Sequence, residues 1–497
     1  MISRRTMLGG MVSAAACAGN TGHKPNFLFI IADDHAGYVL GVDGNRQART
    51  PNLDAFAAQG LRFARHYCNS PICTPSRQSF FTGQLPHMAG VTRLPTPLAE
   101  DKPTLAKQFQ KAGYTTAVFG KMHFIKKGYP GMHGLDIVHT EDVITREWEQ
   151  QVKPQPVASD IRCQKLPWKP LKDPARIWLN ADKLPYPRYD HDMRACYQVE
   201  KAEEFLEAYK DKPFALWVSF MEPHSPYDFP VEYRKRFDPA DFPPRKVGPH
   251  DAWQIPLIFR DLSDTDKRGI SAAYFTSVDF LDRNIGRVLR KLSELNLDNN
   301  TFVVYTADHG YDLGQHGRFE KHCGYDPALR VPLMFRYPGR IRKGVITDMT
   351  EHVDLTATIV DVMNLQPLPT MHGRTLKPYL EGRSITPRDH IFSEYLDNEE
   401  AYIRTNRWKF IYCTGKRART DGYITDNPTP GRYRILYDLK ADPGEFNNVI
   451  GREPEVAKNL QSLMLKRFRS THPDASREPH FETEDDVLDW YLIPRDA

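Results

Sequence analysis

CTPSRQSFFTG, residues 73–83, is the stretch on which the fold turns. Pro75 suits the first turn of a helix, and residues 76–81 can continue it, so Cys73 would sit in the positive field at that helix's N-terminus. An anion docks readily at such a place. Arg77, four residues on, shares a helical face with Cys73 and adds a fixed charge with a planar fork of donors. Taken alone, a cysteine ahead of a proline reads as a small buried side chain. Its surroundings choose between the two readings.

The full string, Cys73-x-Pro75-Ser76-Arg77 with Thr82-Gly83 beyond it, resembles the signature of the type I sulfatases of the alkaline phosphatase superfamily. That resemblance implies an α/β fold: a large mixed, mostly parallel sheet sandwiched by helices, with a smaller C-terminal α+β domain of one antiparallel sheet and one helix. It implies that Cys73 is oxidised by a formylglycine-generating enzyme to formylglycine, whose hydrate carries two geminal hydroxyls. One attacks sulfur; loss of the other's proton then expels sulfate and restores the aldehyde.

Working outward, NFLFIIA (26–32) is an unbroken apolar run and reads as a buried strand of a parallel sheet. It ends in Asp33 and Asp34. Adjacent carboxylates at a strand's carboxyl end repel unless a cation lies between them, and oxygen donors suit calcium or magnesium. TFVVYTA (301–307) repeats the pattern and ends in Asp308 and His309, with Lys321 on the loop beyond. A strand over 114–119 runs into Lys121, Met122 and His123, where alternation along an extended backbone lets Lys121 and His123 face one pocket. FALWVSF (214–220) delivers His224 between Pro223 and Pro226, which fix its direction. The resemblance assigns Asp33, Asp34, Cys73, Asp308 and His309 to a metal, Ca2+ with Mg2+ as the alternative. It assigns Cys73, Arg77, Lys121, His123, His224 and Lys321 to catalysis, with Lys121, His224 and Lys321 also on the substrate's sulfate. Met122 stands where many family members carry tryptophan.

The rest of the chain frames these stations. Helices are expected over 52–59, 104–113, 192–209, 264–296 and 354–364, from apolar spacing and from Thr50, Pro51 and Gly60 at the ends of the first. Residues 124–187 and 230–262 are rich in proline and read as long loops over the pocket. Beyond about residue 385 come short strands and a helix near 453–468; LYDLKADPGEFNN (436–448) resembles the sulfatases' closing motif, and residues 471–497 receive no role. The expected division is thus a signal at 1–22, a catalytic domain at 25–384 and a C-terminal subdomain with tail at 385–497.

With 497 residues and a net charge of +4, the chain is an ordinary globular protein, and so small a charge argues against a dedicated nucleic-acid binder. Seven scattered cysteines give neither a zinc module nor a disulfide framework. Arg4 and Arg5 ahead of a short apolar run resemble a twin-arginine export signal, so a periplasmic or secreted protein is expected, with Cys17 a possible lipidation site. No stretch is apolar enough to cross a membrane. The expected substrate is a sulfated carbohydrate, with choline or aryl sulfate as the small-molecule alternative. Three other readings compete: a phosphonate or phosphate ester hydrolase of the same superfamily, a silent carbohydrate-binding protein, and a hydrolase using Cys73 as a thiolate.

Overall fold

Residues 26–32 form the centre of the molecule because both their faces are covered. The computed structural model describes residues 24–496 other than 168, 250, 252–253, 417–421 and 426–430. The expected signal at 1–22, with Cys17, lies outside the described residues. Strand β1 (Asn26–Ala32) is buried along its whole length. Its Leu28 and Ile30 join the core on one side, packed with the long helix Asp264–Glu294; Phe27, Phe29 and Ile31 join the core on the other, with Phe80 and Phe81 of the helix Cys73–Thr82. An all-apolar strand is what a two-sided sheet requires.

Around it lie β2 (Leu61–Tyr67), β3 (Thr115–Gly120), β4 (Ile137–Thr140), β5 (Phe214–Ser219), β6 (Thr301–Ala307), β7 (Arg330–Arg336) and β8 (Gly344–Glu351), in the order β4-β3-β5-β1-β6-β7-β2-β8. The strands from β4 to β6 are parallel; β7 runs antiparallel to β6 and β2, and β8 parallel to β2. This is the large mixed, mostly parallel sheet between helices. The long helix opens with a reciprocal cap between Ser263 and Asp266.

A second, antiparallel sheet has the order β12-β11-β10-β9, from β9 (His390–Tyr395), β10 (Glu400–Thr405), β11 (Trp408–Cys413) and β12 (Tyr433–Asp438). The helix Pro454–Thr471 covers it through Met464, Leu465 and Phe468. The stretch after 471, without a role in the sequence, holds a further helix, Glu484–Tyr491, whose Tyr491 stacks on Phe468 at 5.2 Å between ring centroids. No helix among the described residues is long and apolar enough to cross a membrane.

Candidate active site

Pairing register brings the site together. Ala32 lies opposite Ala307, Ile31 opposite Ser219, and Gly120 opposite Ser219, so the carboxyl ends of β1, β3, β5 and β6 are level. Whatever follows each strand is delivered to one crevice. Asp33 and Asp34 follow β1, Lys121 and His123 follow β3, His224 follows β5, and Asp308 and His309 follow β6. Gly120 is needed at its strand's end: it has φ +103°, and a Cβ there would stand 2.0 Å from the Ser219 carbonyl oxygen. Cys73 arrives from the helix on one face, with Ile72 as the extended N-cap and Pro75 in the first turn as expected.

The predicted residues meet. Cys73 Sγ lies 3.5 Å from Asp33 Oδ1, 3.7 Å from Lys121 Nζ and 3.2 Å from His309 Nε2. Arg77, fully buried, donates to Asp308 Oδ2 at 2.8 Å, Asp33 Oδ2 at 3.1 Å, Ser219 Oγ at 2.8 Å and the Lys121 carbonyl oxygen. Lys121 also pairs with Asp33, and Lys321 Nζ with both oxygens of Asp34 at 2.9 and 3.1 Å. Asp308 Oδ1 accepts the backbone N–H groups of Asp34 and His309 at 3.1 and 2.9 Å, locking the two strand ends together.

One expectation changes. Lys121 and His123 do not alternate along an extended backbone: His123 lies past the end of β3 with φ +57°. Glu141, first residue of the helix Glu141–Gln151, takes the N–H groups of Met122 and His123 at 3.1 Å each and fixes the turn. The side chains of Lys121 and His123 still line one cavity. Glu141 and Ser219 were missed by sequence reasoning. Ser219 closes the apolar run FALWVS as its one polar residue, which was the available signal; Glu141 had none.

Burial tends to raise every carboxylate here. Around Asp33 the charge of Lys121, then of Arg77, outweighs it and holds the group well below the usual range. Arg77 does the same for Asp308. Asp34 goes the other way: burial, with Asp33 beside it, pushes it up to about 8 despite Lys321. The third carboxylate thus keeps its charge at neutral pH only if more positive charge arrives. Burial lowers the His309 imidazole, but Asp308 and Cys73 carry it up to about 9, the response of a group in an acidic cluster. Ligand atoms of Asp33, Asp34, Cys73 and His224 lie within 4.8 Å of one another, as do those of Asp33, Cys73, Asp308 and His309. The three carboxylates shared between these groups are hard oxygen donors of the kind that hold a divalent cation.

A cavity of about 360 Å³ opens onto Cys73, Lys121, His123, His224 and Lys321, while Arg77, Asp33 and Asp308 lie buried outside its lining. Its walls elsewhere include Leu94, Trp178 and Tyr423. His123 is lowered to about 3 by burial and then by Lys121, and its Nδ1 is buried without a partner. His224 is held well below its ordinary value by burial, then by Lys321 and Lys121, and its Nδ1 lies 2.8 Å from the Ser225 carbonyl oxygen. Both imidazoles are therefore neutral here.

Buried cations and carboxylates gathered around one side chain at the strand ends of an α/β sheet define an enzyme that handles an anionic ester. The chain belongs to the sulfatase family, which it matches over residues 25–365, and residues 314–472 match the family described as N-sulphoglucosamine sulphohydrolase, C-terminal. It is a sulfuric ester hydrolase. It is 29% identical over 469 residues to an arylsulfatase of Clostridium perfringens, covering 90% of this chain and 94% of the relative. It is 26% identical to an N-acetylglucosamine-6-O-sulfatase of Bacteroides thetaiotaomicron, covering 93% and 90%. Its fold resembles the solved phosphonate monoester hydrolase of Agrobacterium radiobacter, with a TM-score of 0.76 and 23% identity, covering 92% of this chain and 98% of that one.

Proposed function

We propose that this sulfatase removes sulfate from a sulfated carbohydrate outside the cytoplasm, with Cys73 in its formylglycine form and a calcium ion, or magnesium in its place, among Asp33, Asp34, Asp308 and His309. The cavity carries the substrate reading. Beyond its cationic end it holds aromatic walls, Trp178 and Tyr423. A sugar ring presents C–H faces that cover such aromatic walls while its anionic ester reaches the cationic end.

When bound, the metal supplies Lewis-acid polarisation of a sulfate oxygen and of the nucleophile. When formed, formylglycine supplies a nucleophile that carries its own second hydroxyl, so that release needs no water at a crowded sulfate. Lys121 and Lys321, with the N-terminus of the Cys73 helix, hold the anionic oxygens. Arg77 keeps Asp33 and Asp308 ionised and in place. Neutral His123, its Nδ1 unpartnered, accepts a proton. His224 becomes a donor once sulfate offsets the two lysines that hold its proton off.

His224→Ala is therefore expected to lose about 10²- to 10³-fold in kcat on an alkyl sulfate and much less on 4-nitrophenyl sulfate, whose leaving group departs unprotonated. Equal losses on both esters, or the same leaving-group dependence in Lys321→Ala instead, would move the proton to Lys321.

The reading as a whole is tested by turnover of a panel: defined sulfated oligosaccharides, choline sulfate, and matched aryl sulfate and aryl phosphonate esters. A sulfated oligosaccharide should give the highest kcat/KM. Activity confined to choline or aryl sulfate would overturn the carbohydrate reading, and a preference for the phosphonate would revive the superfamily alternative. Export is tested by fractionation and the mass of the mature N-terminus.

A further inference from the structure

The loop after the Cys73 helix is tied down at both ends of its reach. Thr74 Oγ1, one residue from Cys73, donates to the Leu94 carbonyl oxygen at 2.8 Å. From the far end of the chain, Asp496 turns a nearly buried carboxylate onto the same loop. It accepts the N–H groups of Thr92 and Arg93 at 2.9 and 3.0 Å and the hydroxyls of Thr92 and Thr96. Four donors on one carboxylate, spread over residues 92–96, hold the loop's shape against the rest of the protein.

That loop carries Arg93 and Leu94 into the cavity lining. Arg93 differs from the other cations there. Lys121 and Lys321 are engaged by Asp33 and Asp34, whereas Arg93 contacts neither Cys73 nor the carboxylates around it. Its nearest anion is Asp496 at 3.6 Å, too long for a hydrogen bond and with its oxygens already occupied by the loop. Arg93 Nε is buried without a partner, and among the described residues no acceptor takes its Nη donors. Among the described residues that line the cavity, Arg93, Lys121 and Lys321 carry positive charge and Asp397 negative.

We propose that Arg93 is a specificity-determining residue that takes a second anionic group, a carboxylate or a further sulfate, on the sugar whose sulfate ester is cleaved, and that Asp496 is the positioning residue that presents it. Asp496 balances the charge from behind without taking the Nη donors, and a planar fork with those donors unclaimed suits such an oxyanion. This rests on the carbohydrate reading above.

The test compares a monosulfated sugar, the same sugar bearing a second sulfate or a carboxylate, and 4-nitrophenyl sulfate, on the full-length, matured enzyme. The wild type should favour the doubly anionic sugar. In Arg93→Ala the ratio of its kcat/KM to that of 4-nitrophenyl sulfate should fall about 10- to 100-fold, chiefly through KM. Arg93→Lys should restore part of that, and Asp496→Ala should move the ratio the same way by less. A merely structural role would lower every substrate together and would leave the ratio where it was. An unmoved ratio, or a wild-type preference for the monosulfated sugar, overturns the inference while the carbohydrate reading stands. Turnover of 4-nitrophenyl sulfate with none of any sugar removes both.

Discussion

Cys73→Ala should abolish turnover, with kcat on 4-nitrophenyl sulfate down by at least about 10⁴-fold, while far-ultraviolet circular dichroism stays that of the wild type. The side chain is 1% exposed at the first position of its helix, where alanine is equally compatible, so the helix start survives the change. What disappears is the one atom that Asp33, Lys121 and His309 all surround. Cys73→Ser asks a sharper question. A single hydroxyl in that surround can accept the sulfuryl group, but it has no second oxygen through which to expel it. The residue-73 peptide of that variant should gain the mass of one sulfuryl group after exposure to substrate and keep it. In active wild-type protein the same peptide should resist thiol alkylation. Substantial activity in Cys73→Ala would remove the nucleophile from this position, and a wild-type peptide that alkylates fully in an active sample would replace formylglycine with the thiolate reading.

The groups at the strand ends were legible in the sequence because the parallel sheet writes its chemistry in one dimension. A continuous apolar run followed by Asp33-Asp34 or Asp308-His309 is a local pattern, and the register then carries local patterns to a common point. Strands that do other work were harder to read. In β2, LRFARHY, Arg62 and Arg65 reach out to Asp43 and Asn406, and the pairing register shifts between Phe63 and His66, which breaks the alternation that marks a strand. In β8, GVITDMTE, the first half is largely exposed at the sheet's edge. Glu141 and Asp496 escaped for a different reason. Each acts through backbone N–H groups of a segment remote in sequence, and the Thr92 and Asp496 contact spans 404 residues. Acceptors of that kind carry no signature beyond being acidic. The helix Glu484–Tyr491 hid behind its own composition, since three acidic residues in its first turn read as a polar tail until Thr483 is seen capping them.

Arg77→Ala tests the layer beneath the cavity, which is where the site is most exposed to electrostatic failure. Removing one partner of a fully buried charge cluster costs about 3–5 kcal/mol, because the carboxylates left behind keep their desolvation without their counter-charge. Arg77 answers two carboxylates and two further oxygens, so Arg77→Lys, with a compact ammonium in place of a planar fork, should recover the charge but less than half the stability. The cost should also depend on pH with a definite sign. In the wild type Asp33 and Asp308 titrate below their ordinary value of 3.8, so their contribution is complete above about that pH and is lost only as pH falls through the lower folded values. Without the guanidinium, burial, the largest influence on both, is left to raise them, Asp308 most because Lys121 still pairs with Asp33. The folded variant would then bind protons that the unfolded chain has already released, and its stability would fall as pH rises above about 4. Urea denaturation in chelator should therefore show a gap between wild type and Arg77→Ala that is widest near neutrality and narrows toward about pH 4. A gap that is flat across that range would mean the lost packing of a large side chain, and not its charge, accounts for the difference. Adding Asp308→Asn to the variant separates the two directly: a neutral partner should return stability at neutral pH if charge is the cause, and return none if it is volume.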